Sequence, residues 1–357
     1  MAHTLTIPFI KGHGASNDFI LLDESHATLI PEPLKAAFAR LVSDRQQGIG
    51  SDGTVFVSAV SPQQPRMRFF NPDGSEAEMC GNGIRCASRA AFEGSFRQID
   101  PLLFQTLAGN FKTENFFSEA HQLHFVRVTT APLSTNPSAI LSNRSTTPFI
   151  RQRFQVEGIE LTGTILSVGN PHLLVPVADL KELDLMRLGH ALEHHPMFLN
   201  RANVSFVQVL DRRTILVQTH ERGVGLTLSC GTGMTASVVA QVLNDGVDNQ
   251  QPIAVHTAGG IVWVTPQVSA DGIFAQLTGN ATWIYTGRTT VTLEEESIRF
   301  ADAQRVEIVQ TFAEEEENFR RLAGQTLFDR TLLRGTSLES FLQENNEKRG
   351  STGQSSP

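Results

Sequence analysis

At 357 residues and 40% apolar content the chain exceeds what one hydrophobic core usually serves, so two domains are expected. A formal charge of −8, a pI near 5.8 and the lack of any basic cluster exclude nucleic acid and anionic membrane surfaces as partners and favour a small-molecule substrate. Three sparse cysteines with no CxxC pair and no Cys/His metal spacing predict neither a disulfide framework nor a zinc site, so the thiols stay reduced and no metal is expected. The amino terminus has no charged segment leading into a long apolar run, and no window reaches the roughly 18 apolar residues of a membrane span. A cytoplasmic location is therefore expected.

In chain order, stretches rich in Val, Ile, Phe and Thr predict strands at Phe19 to Asp23, Thr54 to Val60, Met67 to Phe70, Phe125 to Thr130, Ile165 to Val168, His172 to Val177, Val204 to Val209, Thr214 to Thr219, Ile261 to Thr265 and Ala281 to Thr286. Helical periodicity is rarer, at Pro33 to Ser43, from Gly81 to about Glu93, at Lys181 to Glu193 and from Gly231 to about Asn244. Many short strands and few helices indicate a mixed α+β architecture. The Ser, Thr, Pro and Asn-rich segment from Thr129 to Thr147 predicts a connection or surface insertion. Residues 294–357 hold 13 acidic against 8 basic side chains. Phe312, Phe319 and Leu322, then Leu338, Phe341 and Leu342, fall at helical spacings there, and the last residues are polar enough for disorder, so a solvated helical or disordered tail is expected.

The chain repeats itself. Cys80-Gly-Asn-Gly opens one helix, and Thr106, Ala108 and Gly109 follow 26 to 29 residues later. Cys230-Gly-Thr-Gly opens another, and Thr257, Ala258 and Gly259 follow 27 to 29 residues later. Asn17 precedes Cys80 by 63 residues and Asn170 precedes Cys230 by 60, each closing a glycine-containing turn. Two copies of one α/β unit, each with one cysteine at the same place, account for this pattern.

A cysteine that opens a helix sits where unpaired N–H groups and the positive end of the dipole stabilise a thiolate, drawing its pKa from about 8.5 toward neutrality. The glycines after it strip side chains from the first turn, so the same amides can hold a substrate carboxylate. Inverting a stereocentre needs one group to remove a proton and another to deliver one to the opposite face, and a duplicated unit supplies both by pseudo-symmetry. Cys80 and Cys230 are therefore the candidate acid/base pair of an amino-acid racemase or epimerase, with charge on the substrate stabilised by the two helix starts. Cys86, six residues into the first helix and outside any glycine turn, reads as a small buried hydrophobe.

At these residues the sequence resembles the diaminopimelate epimerase family, in a superfamily with proline racemases and phenazine-biosynthesis isomerases. The blocks that carry the match are Lys11-Gly-His-Gly-Ala-Ser-Asn-Asp-Phe19, Gly48-Ile-Gly-Ser-Asp-Gly53, Phe70 to Cys86, Gly169-Asn-Pro-His172, and Arg201-Ala-Asn203 leading to Glu221-Arg-Gly and Cys230-Gly-Thr-Gly233. Order and spacing agree over roughly residues 5 to 293. The resemblance implies two similar domains, each a small, mainly antiparallel sheet wrapped around a central helix, and a reaction that uses neither pyridoxal phosphate nor metal. It implies substrate-binding roles for Asn17, Asn71, Asn170, Asn203, Glu221 and Arg222, a carboxylate held by the amides of Gly81, Asn82, Gly231 and Thr232, and assisting roles for His172 and Glu221. Arg222 can clamp a second carboxylate bidentately, and the Asn amides can meet ammonium and carboxylate groups, which suits a substrate with an amino-acid group at both ends.

The implied organisation is an N-terminal domain of residues 1–127 with 277–293, a C-terminal domain of residues 128–276, and the tail of residues 294–357. A homodimer is expected. Ala15 and Ser16 replace the more usual residues before Asn17, Gly53 stands where some members have Gln, and Leu226 fills a position where members commonly carry Glu. The last change touches the loop into Cys230 and bears on substrate preference or rate more than on reaction type. Two alternatives stay open at this level: a two-cysteine racemase of another amino acid, of histidine or proline type, and a redox thiol or binding protein.

Overall fold

The computed structural model describes residues 3–329, apart from 98, 131, 296 and 302–304. The architecture is mixed α+β, with five α-helices among the described residues: α1 (Lys35–Ser43), α2 (Gly81–Glu93), α3 (Leu185–Glu193), α4 (Gly231–Leu243) and α5 (Ala313–Ala323). None is long and apolar enough to cross a membrane. The chain divides into two compact units, one of residues 1–133, 249–252 and 259–325, the other of residues 134–248 and 253–258 with the described residues from 326 onward.

The first unit wraps strands around α2. The strand His3–Gly14 pairs antiparallel with Thr282–Leu293 on one side and with Asn17–Asp23 on the other. Asn17–Asp23 runs parallel to Gly53–Ser61, which pairs antiparallel with Gln64–Phe70. The strands Leu102–Thr106, Gly109–Ser118, Leu123–Thr129 and Gly272–Asn280 continue the sheet. Helix α2 starts at Cys80 and stops at Gly94, whose N–H donates to the Ala90 carbonyl. Its Ile84, Ala87, Ala90 and Ala91 pack into a cluster with Phe19, Val55, Met67, Phe104 and Val126. Each large apolar side chain buried there contributes roughly 1.5–3 kcal/mol, and this packing holds α2 in a sheet-dominated unit.

The second unit repeats the plan around α4. Ile159–Ser167 pairs antiparallel with Pro171–Val177, which runs parallel to Asn203–Asp211, itself antiparallel to Thr214–Glu221. Ile253–Thr257 then lies parallel to Thr214–Glu221, as Leu102–Thr106 does to Gln64–Phe70 in the first unit. Helix α3 covers the outer face with Leu185, Leu188 and Leu192, which join Phe198, Val204, Phe206 and Leu226 in one core.

Two expectations about organisation differ from this structure. A C-terminal domain of residues 128–276 would take Gly260–Ser269 and cut Gly272–Asn280 at residue 276, but these two strands pair with each other and, through Gly272–Asn280, with Leu123–Thr129 of the first unit. Hydrophobic alternation identifies a strand without saying which edge it joins. The segment after residue 293 is not a solvated appendage over its described part. Glu307–Thr311 extends the sheet on Thr282–Leu293, and α5 buries Phe319, Leu322 and Ala323 against Leu123 and Phe125. Its acidic face is paired: Glu316 meets the buried His13 ring at 2.9 Å, and Glu315 binds Arg89. The expected helical positions Leu338, Phe341 and Leu342 lie outside the described residues.

Candidate active site

Both cysteines take the same local geometry. Cys80 (φ −133°, ψ 115°) caps α2 and its Sγ accepts from the Gly83 N–H at 3.3 Å. Cys230 (φ −112°, ψ 108°) caps α4 and its Sγ accepts from the Gly233 N–H at 3.4 Å. A thiol thus stands in for the usual Ser or Asp of a helix cap, in extended backbone one residue before the first helical turn. The second glycine of each motif faces the sulfur: a Cβ at Gly83 would lie 3.4 Å from Cys80 Sγ, an ordinary contact, and one at Gly233 would lie 3.2 Å from Cys230 Sγ and 2.8 Å from Thr219 Oγ1, a crowded one.

In the second unit most of the expected residues converge on Cys230. Thr232 Oγ1 lies 3.6 Å from the sulfur and 3.4 Å from Asn170 Nδ2, and Asn170 Oδ1 lies 3.0 Å from His172 Nε2. Burial, with the Arg222 charge adding to it, pulls His172 down to about 3, so the imidazole is neutral. Its Nδ1 is buried without a hydrogen-bond partner. Glu221 accepts from Thr227 Oγ1 at 2.6 Å, and burial holds its carboxyl above the usual range.

Burial, followed by the Glu221 charge, pushes the Cys230 thiol well above its ordinary value, outweighing the Thr232 and Gly233 donors. The sequence expectation of a pKa drawn toward neutrality therefore does not hold for Cys230 in this state. One N–H at the helix start is too weak an offset for desolvation of an anion.

Asn203 and Arg222 are coupled. Asn203 Oδ1 accepts from the Arg222 N–H at 2.9 Å and its Nδ2 donates to the Pro171 carbonyl at 3.1 Å, so this amide holds the turn that carries Arg222. The exposed Arg222 guanidinium donates from Nη1 to the Asn200 carbonyl at 3.2 Å. Leu226, at the position expected to matter for the loop, lies opposite His220 and is buried in the core beside α3.

In the first unit, Asn17 is half-buried with its Oδ1 unpartnered, and Asn71 Nδ2 donates to Ser75 Oγ at 3.0 Å. Gly81 and Asn82 form the first turn of α2 beside Cys80. Asp18, next to Asn17, binds Lys11 and Arg45, and Arg45 reaches Asp52 at 2.7 Å, tying the Asn17 turn to the Gly48–Gly53 loop. Gly53 admits no longer side chain here, because a Cβ would lie 2.4 Å from the Phe69 ring.

Sequence reasoning missed Arg85. It is wholly buried one turn after Cys80, donates to the Gly81 and Asn280 carbonyls, and has Nη2 unpartnered. Its sequence signal is an arginine set between the apolar Ile84 and Cys86. Cys86 is fully buried, and burial raises its thiol to about 12, as a structural cysteine requires.

Comparison with known proteins places these features. A profile of the diaminopimelate epimerase family matches residues 9–133 and 164–284. The chain belongs to the diaminopimelate epimerase family. It is 39% identical over 282 residues to a diaminopimelate epimerase of Methanothermobacter thermautotrophicus, covering 79% of this chain and 98% of that one. It is 33% identical over 287 residues to a diaminopimelate epimerase of Desulforapulum autotrophicum, covering 80% of this chain and all (100%) of that one.

The fold is shared more widely. A phenazine biosynthesis protein of Bacillus anthracis superposes with a TM-score of 0.58 at 16% identity, covering 80% and 99% of the two chains. A hydroxyproline epimerase of Agrobacterium vitis superposes with a TM-score of 0.56 at 15% identity, covering 80% and 91%. This family member is accordingly an isomerase of the epimerase class.

Proposed function

We propose that the protein interconverts LL- and meso-diaminopimelate by two-base proton transfer, with Cys80 and Cys230 as the acid/base pair, feeding lysine and peptidoglycan synthesis. The observation that carries the reading is the duplicated cap: in a chain of this family, each unit offers one sulfur on the amide of the third residue beyond it. In one direction the Cys80 thiolate takes the α-proton as the C–H bond breaks, and the Cys230 thiol, held protonated by burial and Glu221, delivers a proton to the other face of the carbanion. Cys80 ends as thiol and Cys230 as thiolate, and the roles exchange for the reverse reaction. Neutral His172 and Glu221 support the sulfur at Cys230, and the amides of Gly81, Asn82, Gly231 and Thr232 hold the reacting carboxylate as charge builds on it. Arg222 takes the distant carboxylate, with Asn17, Asn71, Asn170 and Asn203 binding or positioning the remaining polar groups.

The test is solvent-deuterium exchange at the α-carbon of diaminopimelate, histidine and proline, with no cofactor added. The proposal expects exchange with diaminopimelate far ahead of the others. Faster exchange with histidine or proline would replace the substrate assignment, and no exchange with any of them, thiols intact, would end the two-base reading.

A further inference from the structure

Away from the thiols, the second unit gathers three side chains of ligand type. His190 and Glu193, three residues apart on α3, share one helix face. His220 rises toward them from the strand Thr214–Glu221, and the lack of a side chain at Gly189 makes room for it, since a Cβ there would lie 2.7 Å from its ring. His220 Nδ1 lies 3.4 Å from Glu193 Oε2, with both side chains almost wholly buried. That nitrogen has no hydrogen-bond partner. One donor atom each from His190, Glu193 and His220 lies within 4.8 Å of the other two. Donors about 2.1 Å from a tetrahedral ion stand about 3.4 Å apart, so small side-chain rotations bring the set into register.

We propose that His190, Glu193 and His220 form a binding site for a divalent transition-metal ion of the zinc class, with water at the remaining position. Two imidazoles and a carboxylate are a donor set of the right hardness for such an ion. Glu193 is already oriented from outside: its Oε1 accepts from the Gly223 N–H at 2.9 Å and from Arg201 at 2.9 Å, leaving Oε2 for the ion. Gly223 follows Arg222, so an occupied site fastens α3 to the turn that carries Arg222. The ion is structural and supplies nothing to the proton transfers.

The full chain, stripped with chelator, is titrated with zinc chloride by calorimetry and with cobalt(II) chloride by visible absorption. Expected are one equivalent of zinc, an upward thermal shift on binding, and cobalt bands typical of nitrogen and oxygen ligands without the intense sulfur charge-transfer band. His190 is exposed, so His190→Ala keeps the fold, which circular dichroism of the metal-free variant checks. It weakens zinc binding by about tenfold or more and abolishes the thermal shift. Absence of zinc binding, equal binding by His190→Ala, or a cobalt spectrum dominated by sulfur would each overturn the site.

Discussion

The second glycine of each Cys-Gly-x-Gly turn distinguishes the two copies when it is replaced by alanine. At Gly83 the new methyl would meet Cys80 Cβ at 3.3 Å, its Sγ at 3.4 Å and Val55 at 3.6 Å, tight but near ordinary contact. At Gly233 it would meet Thr219 Oγ1 at 2.8 Å, Ser205 Oγ at 3.1 Å and Cys230 Sγ at 3.2 Å. Those two hydroxyls are buried and hydrogen-bonded to each other at 2.9 Å, so the methyl strains a satisfied polar pair. Alanine gains roughly 0.8–1 kcal/mol in helix propensity at either place. Overpacking costs roughly 1–3 kcal/mol, and a lost buried hydrogen bond adds about 1 kcal/mol.

Gly83→Ala should therefore stay within about 1 kcal/mol of the parent, and Gly233→Ala should fall below it by about 1–3 kcal/mol. Gly233→Ala should lose activity by an order of magnitude or more, because its methyl crowds the sulfur and its cap, and Gly83→Ala should lose less. Urea unfolding followed by circular dichroism reads the first effect and α-proton exchange the second. A Gly233→Ala protein as stable as Gly83→Ala would refute the packing described behind Cys230.

Three further outcomes are expected. Glu221→Gln removes a charge beside Cys230, so the pH profile of its alkylation should move to lower pH, and an unmoved profile would contradict the pairing. His172 should show no NMR titration between pH 5 and 8. Because its folded pKa of about 3 lies below the unfolded value, its contribution to stability is complete above about pH 6.5 and falls by up to about 1.4 kcal/mol per unit as the pH drops toward 3. A titration near 6.5 would place it in water instead. Phe319→Ala empties a side chain that is 3% exposed and edge-on to His13 at 4.3 Å, so it should cost about 3 kcal/mol in thermal or urea unfolding. A change under 1 kcal/mol would mean that α5 is not docked.

What the sequence made legible was local. Helix starts at Gly81 and Gly231 are read directly from glycine turns followed by apolar runs, and both match the observed bounds. The strand His3–Gly14 was missed because Pro8, Gly12 and Gly14 interrupt its alternation. Gly12 is there to admit the Trp283 ring, which would meet a Cβ at 2.4 Å, and that partner lies 271 residues further along the chain. The run Glu314–Glu317 looked solvated because its partners, His13 and Arg89, are more than 200 residues upstream. The His190, Glu193 and His220 cluster was hidden because His220 lies 27 residues past Glu193 on a separate strand, at no motif spacing. Side-chain lists such as Asn17, Asn170 and Arg222 followed from family resemblance, whereas the anchoring of Arg222 by Asn203 and the buried Arg85 behind Cys80 are visible only with coordinates.

The central claim, that two thiols act in turn on one carbon, is tested most directly by the isotope content of both isomers early in a reaction run in deuterium oxide. Starting from unlabelled LL-diaminopimelate, the account predicts that newly formed meso product carries one solvent deuterium at the inverted carbon while the remaining LL substrate stays unlabelled. Deuterium entering recovered substrate and product at equal rates would show one base serving both faces and would contradict it.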